Sequence, residues 1–227
     1  MFPQGKMKAL TLSYDDGVEQ DRKLIEIINH YGIKAAFNLN SGIQSGSSQW
    51  ERNGITIRRM NVAHLPALYK GHEIAVHSLT YPRLENMDEE TVVNELEQDK
   101  INLSRIFGEK IYGMAYPYGT FTDEIKKIVG RCGLLYARGV VSTFSFDIPG
   151  DLLEFQPTAK HTDTGLMELA ESFIKLKPKS PQVFYLWGHS YEFDIDNNWH
   201  IINDFCKLMS NKDDIYYATN AQALLGM

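Results

Sequence analysis

Along the chain, short apolar runs alternate with longer stretches in which apolar residues recur every three or four positions. Residues 8–13 form a β-prone run that stops at Asp15-Asp16-Gly17, where two carboxylates and a glycine mark a turn. Within residues 20–31, Leu24, Ile27 and Ile28 fall at helical spacing, and Gly32 stands where a helix C-cap would. A second strand is predicted over 33–39. The polar segment 40–54, with Gly42, Gly46 and several serines, reads as a loop. Asn61 is placed to cap a helix running to Tyr69, and Glu73 to His77 reads as a third strand. Asp88 opens the longest helix, whose stripe of Val92, Leu96, Leu103 and Phe107 ends before Gly108. Further strands are predicted at 112–116, around 136–138, at 183–187 and at 215–218, with helices at 122–129, 165–176 and 200–209.

Strand followed by helix recurs without a shift in composition, which predicts an α/β fold of one domain over residues 1–227 built on a parallel sheet, open or closed into a barrel. In such folds the C-terminal ends of the strands build the active site. The chain places Asp15-Asp16, His77-Ser78, Pro117-Tyr118-Gly119 and His189 there. Composition narrows the function classes. With 23 Lys and Arg against 29 Asp and Glu, the net charge of −6 disfavours a nucleic-acid-binding surface. Cys132 and Cys206 lie too far apart for a CxxC pair, which excludes a zinc knuckle or a disulfide framework. The sequence holds no apolar run long enough for a membrane span, and the absence of a signal peptide leads to the expectation of a cytoplasmic protein.

The candidate chemistry sits in those strand-end clusters. Adjacent carboxylates repel, and on a regular strand Asp15 and Asp16 would face opposite ways, whereas a turn opened by Gly17 aims both into one mouth. His72, Glu73 and His77 are not a zincin, because their spacing is HExxxH on strand-like sequence. His189 follows an aromatic strand, and Gly188 beside it is expected to let a ligand approach closely. Neither a dinucleotide-binding glycine fingerprint nor a P-loop occurs. Twelve tyrosines and three tryptophans, many near these strand ends, suit a cleft that stacks on sugar rings.

In order, Ser13-Tyr14-Asp15-Asp16-Gly17, His77-Ser78-Leu79-Thr80-Tyr81-Pro82, Ala115-Tyr116-Pro117-Tyr118-Gly119 and Leu186-Trp187-Gly188-His189 resemble the motifs of the polysaccharide deacetylase family, the NodB-homology group. The resemblance implies a distorted, incomplete (β/α) barrel and hydrolysis of the amide of N-acetylated sugars. It implies a divalent metal, zinc first and cobalt or nickel next, and a carbohydrate or small amide as the molecule bound. Carried over by position, it makes Asp15 the general base, Asp16 and His77 metal ligands, and His189 the general acid. Tyr116, Pro117, Tyr118, Gly119 and Trp187 would then contact substrate. Two positions depart from the pattern. Tyr81 stands where a third ligand histidine is usual, and a neutral phenol is a poor zinc ligand. Ala115 replaces the arginine that orients the base, and Arg138 is the candidate to take its place. Two other functions are alternatives: hydrolysis of a different C–N bond, in a cyclic amide or ureide, which the resemblance also implies and a cytoplasmic location favours, and, from Tyr81, a metal-deficient carbohydrate-binding pseudoenzyme.

Overall fold

The computed structural model describes all 227 residues. In chain order the elements are β1 (Lys8–Asp15), α1 (Asp21–His30), β2 (Ala35–Leu39), β3 (Gln49–Arg52), β4 (Ile55–Arg58), α2 (Leu65–Leu68), β5 (Glu73–Val76), α3 (Glu89–Phe107), β6 (Gly113–Ala115), α4 (Asp123–Arg131), β7 (Tyr136–Arg138), β8 (Ala159–Lys160), α5 (Leu166–Lys175), β9 (Gln182–Gly188), α6 (Glu192–Ile195), α7 (His200–Met209), β10 (Ile215–Tyr217) and α8 (Asn220–Leu225). Apart from the β3–β4 hairpin, the strands form one parallel sheet in the order β7-β6-β5-β2-β1-β9-β8, with β10 beside β1.

β1 is the hub of this sheet. Along one edge it pairs with β9 from Lys8 to Tyr14; its other edge is shared between β10, over Lys8 to Leu10, and β2, over Leu12 to Asp15. Every residue of β1 is buried, so its side chains pack on both faces of the sheet, as parallel strands require. The sheet curls round until the segment after β7 bridges its two ends. Phe155 N–H donates to Ala137 O and Phe155 O accepts from Gly139 N–H, while Thr158 N–H and His161 N–H donate to Tyr185 O and Trp187 O of β9. The result is the distorted, incomplete barrel expected from the sequence.

The helices follow their sequence signals. Asp88 caps α3 through the Thr91 N–H at 2.8 Å, and Gly108 closes it at φ +70°. Leu24, Ile25 and Ile28 form the buried stripe of α1. Three expectations need correction. The segment 40–54 is not all loop, since it enters the β3–β4 hairpin, turned by Asn53-Gly54 at φ +50° and +77°. Asparagine-glycine is the dipeptide favoured by a two-residue hairpin turn, but the polar residues around it obscured the signal. The helix expected over 61–69 is split into a 3₁₀ turn, Val62–His64, and α2, because Pro66 has no N–H to return to Val62. Finally, Gly188 opens no space for a ligand: a Cβ there would lie 2.1 Å from Nδ1 of His161. The glycine exists so that the His161 imidazole can lie against β9.

Two carboxylates on α3 fix the loops that carry the site. Asp99 accepts the Ser41 N–H at 2.6 Å and the His77 N–H at 3.1 Å, tying the ends of β2 and β5 to one helix. Glu95, one turn earlier, accepts the Thr80 N–H at 2.8 Å and the Thr80 hydroxyl at 2.7 Å. Burial raises the Asp99 pKa to about 7, against the pull of its hydrogen bonds from Ser41 and His77.

Two outcomes follow. Gly188→Ala should destabilise the fold by about 1–3 kcal/mol through overpacking against His161, read from denaturant unfolding; an unchanged midpoint would contradict the packing. Asp99 binds its proton more tightly folded than unfolded, so its contribution to stability is fully present below the ordinary value of 3.8 and is lost as pH rises towards 7. The melting temperature of Asp99→Asn should therefore depend less steeply on pH than that of the wild type across this interval.

Candidate active site

The site starts at the end of β1, where the backbone leaves extended geometry. Asp16 has φ +82° and Gly17 φ +63°, so the chain turns sharply after Asp15 and both carboxylates face the same mouth. Asp15 is 2% exposed. Its register neighbour on β2, Asn38, donates Nδ2–H to Oδ1 at 2.7 Å. From β7, fully buried Arg138 places Nη2 2.6 Å from each oxygen of Asp15. The guanidinium is held from behind by Gly139 O at 2.9 Å and lies over the Trp187 ring at 4.7 Å. Burial alone would raise the Asp15 pKa; Arg138, with His77 and His189, more than offsets it and holds the carboxyl below its usual range.

Asp16 has its own cation. Arg59, buried just after β4, places Nη2 3.1 Å from Asp16 Oδ1, and its Nη1 donates to Asp16 O and to Asn40 Oδ1. Asn40 in turn donates to the carbonyls of His77 and Ser78, joining the first two motifs through one amide. His77 is buried, and its Nδ1–H donates to Ala115 O at 2.8 Å, which leaves Nε2 as a bare lone pair 3.8 Å from Asp15 Oδ2. That Nε2 has no hydrogen-bond partner, and burial lowers the His77 pKa despite the nearby carboxylates, so the ring is neutral.

Tyr81 sits against His77 with ring centroids 4.9 Å apart and against Tyr118 at 4.7 Å. Its backbone is left-handed, at φ +62°, with its N–H donating to Ser78 Oγ at 3.1 Å. The Tyr81 hydroxyl accepts the Tyr118 N–H at 3.4 Å. Burial first, then Asp16 and Asp15, push the phenol pKa well above its usual value. On the far side, His189 Nε2 lies 3.8 Å from Asp15 Oδ2 and 4.0 Å from Asp16 Oδ2, and Nδ1 lies 3.4 Å from Glu192 Oε1. Burial opposes protonation of His189, but Glu192, Asp15 and Asp16 prevail and raise its pKa. Glu192 also meets Lys160 at 2.8 Å and His161 at 3.1 Å. Against the cost of burial, these partners hold its carboxyl well below the usual range.

Asp15, His77, Tyr81 and His189 open together onto a cavity of about 150 Å³, with Tyr116, Tyr118, Gly119 and Trp187 also in its wall. Pro117 is buried in the turn and does not line it. Sequence reasoning missed Arg59, Asn38, Asp99, His161 and Glu192. Only Glu192 carried a local signal, three residues after His189. The others arrive from separate elements and owe their roles to the barrel alone.

The donors present do not fit the divalent cation implied by the sequence motifs. No group of three or more His, Cys, Asp or Glu side chains is arranged to hold a metal ion. His77 Nε2 is a competent donor and Asp16 a possible second, but the third position holds a protonated phenol. The two acidic charges are matched already, Asp15 by Arg138 and Asp16 by Arg59. A dication would add two uncompensated charges to a buried site.

No curated protein matches the sequence. Among solved structures, a putative polysaccharide deacetylase from Mycobacterium smegmatis aligns over 100% of this chain and 92% of its own, at 15% identity and a TM-score of 0.71. A carbohydrate esterase family 4 pseudoenzyme from Bacillus anthracis aligns over 98% and 66%, at 15% identity and a TM-score of 0.59. A deacetylase from Streptococcus pyogenes, solved with acetate, aligns over 63% of this chain at 20% identity and a TM-score of 0.54, and the chain spans only 61% of its length. These likenesses establish the fold. The sequence pattern described as polysaccharide deacetylase matches residues 3–137, more than half of the chain, and includes the first three motif clusters. The chain therefore belongs to the polysaccharide deacetylase family.

Proposed function

We propose that the protein removes the acyl group from an N-acylated sugar by hydrolysis of its amide. The observation that carries this reading is Asp15, locked by Arg138, facing His189 across a small cavity. Arg138 occupies Asp15 from one side, so Oδ2 is presented between His77 and His189, 3.8 Å from each. A water in that gap would give its proton to Asp15, which is ionised and positioned to receive it. As the C–N bond breaks, the departing nitrogen takes a proton from His189, whose pKa, against the cost of burial, is raised by Glu192 and the two aspartates, which favours the charged ring. The products are a carboxylic acid and an amine. A cavity of about 150 Å³ suits a short acyl group, with the sugar resting against the half-exposed Tyr118 at the mouth.

Family membership implies a divalent metal, zinc first. Asp16 and His77 are the residues nearest to such a role, and no step above depends on it. Tyr81 and Arg59 favour a second reading, a carbohydrate-binding protein without turnover; hydrolysis of a cyclic amide or ureide is a variant of the first. No helix is long and apolar enough to cross a membrane.

Amine release from N-acetylated oligosaccharides tests the reading. Asp15→Asn and His189→Ala should each lower kcat by about 10²–10⁴. Sugar binding without amine release by the wild type would establish the second reading instead. The pH profile carries a further expectation. The ascending limb, set by Asp15, should lie below the ordinary carboxylate value, and the descending limb, set by His189, above 6.5. Glu192→Gln removes a neighbour that favours the charged imidazole, so the descending limb should move to lower pH. If it stays put, Glu192 does not govern His189.

A further inference from the structure

The disagreement between donor set and cation deepens the hydrolase reading and rests on it. A divalent cation in an amidase would do two things: balance the carboxylates and draw electron density from the substrate carbonyl. Side chains of this protein are placed for both. The Arg59 guanidinium reaches Asp16 Oδ1 at 3.1 Å and is fastened to Asp16 O and Asn40 Oδ1, so it is built into the strand-end turn. Its face lies over Trp50 at 5.2 Å, which shields the ion pair further. The charge between Arg59 and Asp16 is therefore closed without an ion.

Tyr81 stands in the wall of the cavity with Asp15, His77 and His189. Its ring is wedged between His77 and Tyr118, and its left-handed backbone is pinned to Ser78 Oγ, so the hydroxyl is held in one place. That oxygen accepts the Tyr118 N–H and donates to no protein acceptor, which leaves its proton for whatever enters the cavity. A phenol of ordinary acidity is protonated at neutral pH and is a hydrogen-bond donor there.

We propose that Arg59 and Tyr81 together replace the divalent cation, Arg59 by neutralising Asp16 and Tyr81 by donating its hydroxyl proton in a hydrogen bond to the substrate carbonyl oxygen. The water oxygen bonds to the carbonyl carbon, and the π pair moves onto the oxygen held by Tyr81. Asp15 takes the water proton. The pair then returns, the C–N bond breaks, and His189 supplies the proton that leaves with the amine. No oxidant, reductant or co-reactant beyond water is consumed.

Two measurements test this. In the first, the purified protein is titrated with Zn²⁺ and with Co²⁺ alone, followed by calorimetry and by cobalt absorption. The wild type should show no 1:1 binding, and Arg59→Met/Tyr81→His should acquire it, because histidine tolerates a left-handed backbone and the competing guanidinium is gone. A 1:1 site in the wild type that is lost in His77→Ala overturns the proposal, as does a folded double variant that binds no metal. In the second, amine release is followed after chelation. Turnover should persist, and Tyr81→Phe should lower kcat by about 10²–10³ with KM little changed, the loss expected for one oxyanion donor. Turnover that requires added metal, or Tyr81→Phe with the wild-type kcat, overturns it. A wild type that hydrolyses nothing with or without metal defeats the hydrolase reading and, with it, the donor role of Tyr81; the titration alone then decides whether Arg59 and Tyr81 have displaced the cation.

Discussion

The contact on which the site depends is the buried pair of Asp15 and Arg138. Both side chains are almost fully enclosed, and Nη2 of the arginine meets both carboxylate oxygens at 2.6 Å. Removing two charges from water is expensive, and a pair of this kind adds little net stability, yet loss of one partner typically costs about 3–5 kcal/mol because the other is left uncompensated. The pair therefore acts as a constraint. Arg138 ends β7 and Asp15 ends β1, two strands separated in the sheet by β6, β5 and β2, so the contact spans the barrel mouth. It forms only when the sheet is curled, and the curl is what brings His77 and His189 to opposite sides of Asp15.

Much of this arrangement was legible in the residues. The alternation of strand and helix indicated a parallel sheet, and polar clusters after the strands indicated which end would carry chemistry. Asp88 and Gly108 marked the bounds of α3 because capping is local, requiring only a side chain and a glycine at the right offsets. Asp15, Asp16, His77 and His189 could be singled out because each lies at or just beyond the end of a strand, and Tyr81 because of its place in the second motif. Arg59 could not. It follows a hairpin hidden in a polar segment, and nothing in Arg58-Arg59 distinguishes the exposed residue from the buried one. His161 was also hidden, because β8 is two residues long and its pairing is set by β9. The meaning of Gly188 changed for the same reason, since the group that needs its missing side chain is distant in sequence.

Charge accounting connects the two halves of the site. Each acidic group at the mouth has a basic counterpart drawn from a different element: Asp15 from β7, Asp16 from beyond β4, and Glu192 from the residues of and after β8. In a low-dielectric setting, such matching holds the charged groups in place without reorganisation when a substrate arrives. The same matching leaves little field to attract another cation. An active site can thus retain the residue order of its family while its electrostatic requirements differ.

The seam where the barrel closes carries a dynamic consequence. From Phe155 to His161 a single irregular stretch bridges β7 and β9, with only a few backbone hydrogen bonds on either side and a strand of two residues near its end. Elements held this sparsely tend to exchange their amide protons through local opening, well before the whole domain unfolds. Here the seam runs between the strand that supplies Arg138 and the one that leads to His189, with His161 at its end. Transient fraying at this stretch would relax the grip on Asp15 and loosen the support of Glu192 together, making the closure of the barrel and the competence of the site one cooperative event.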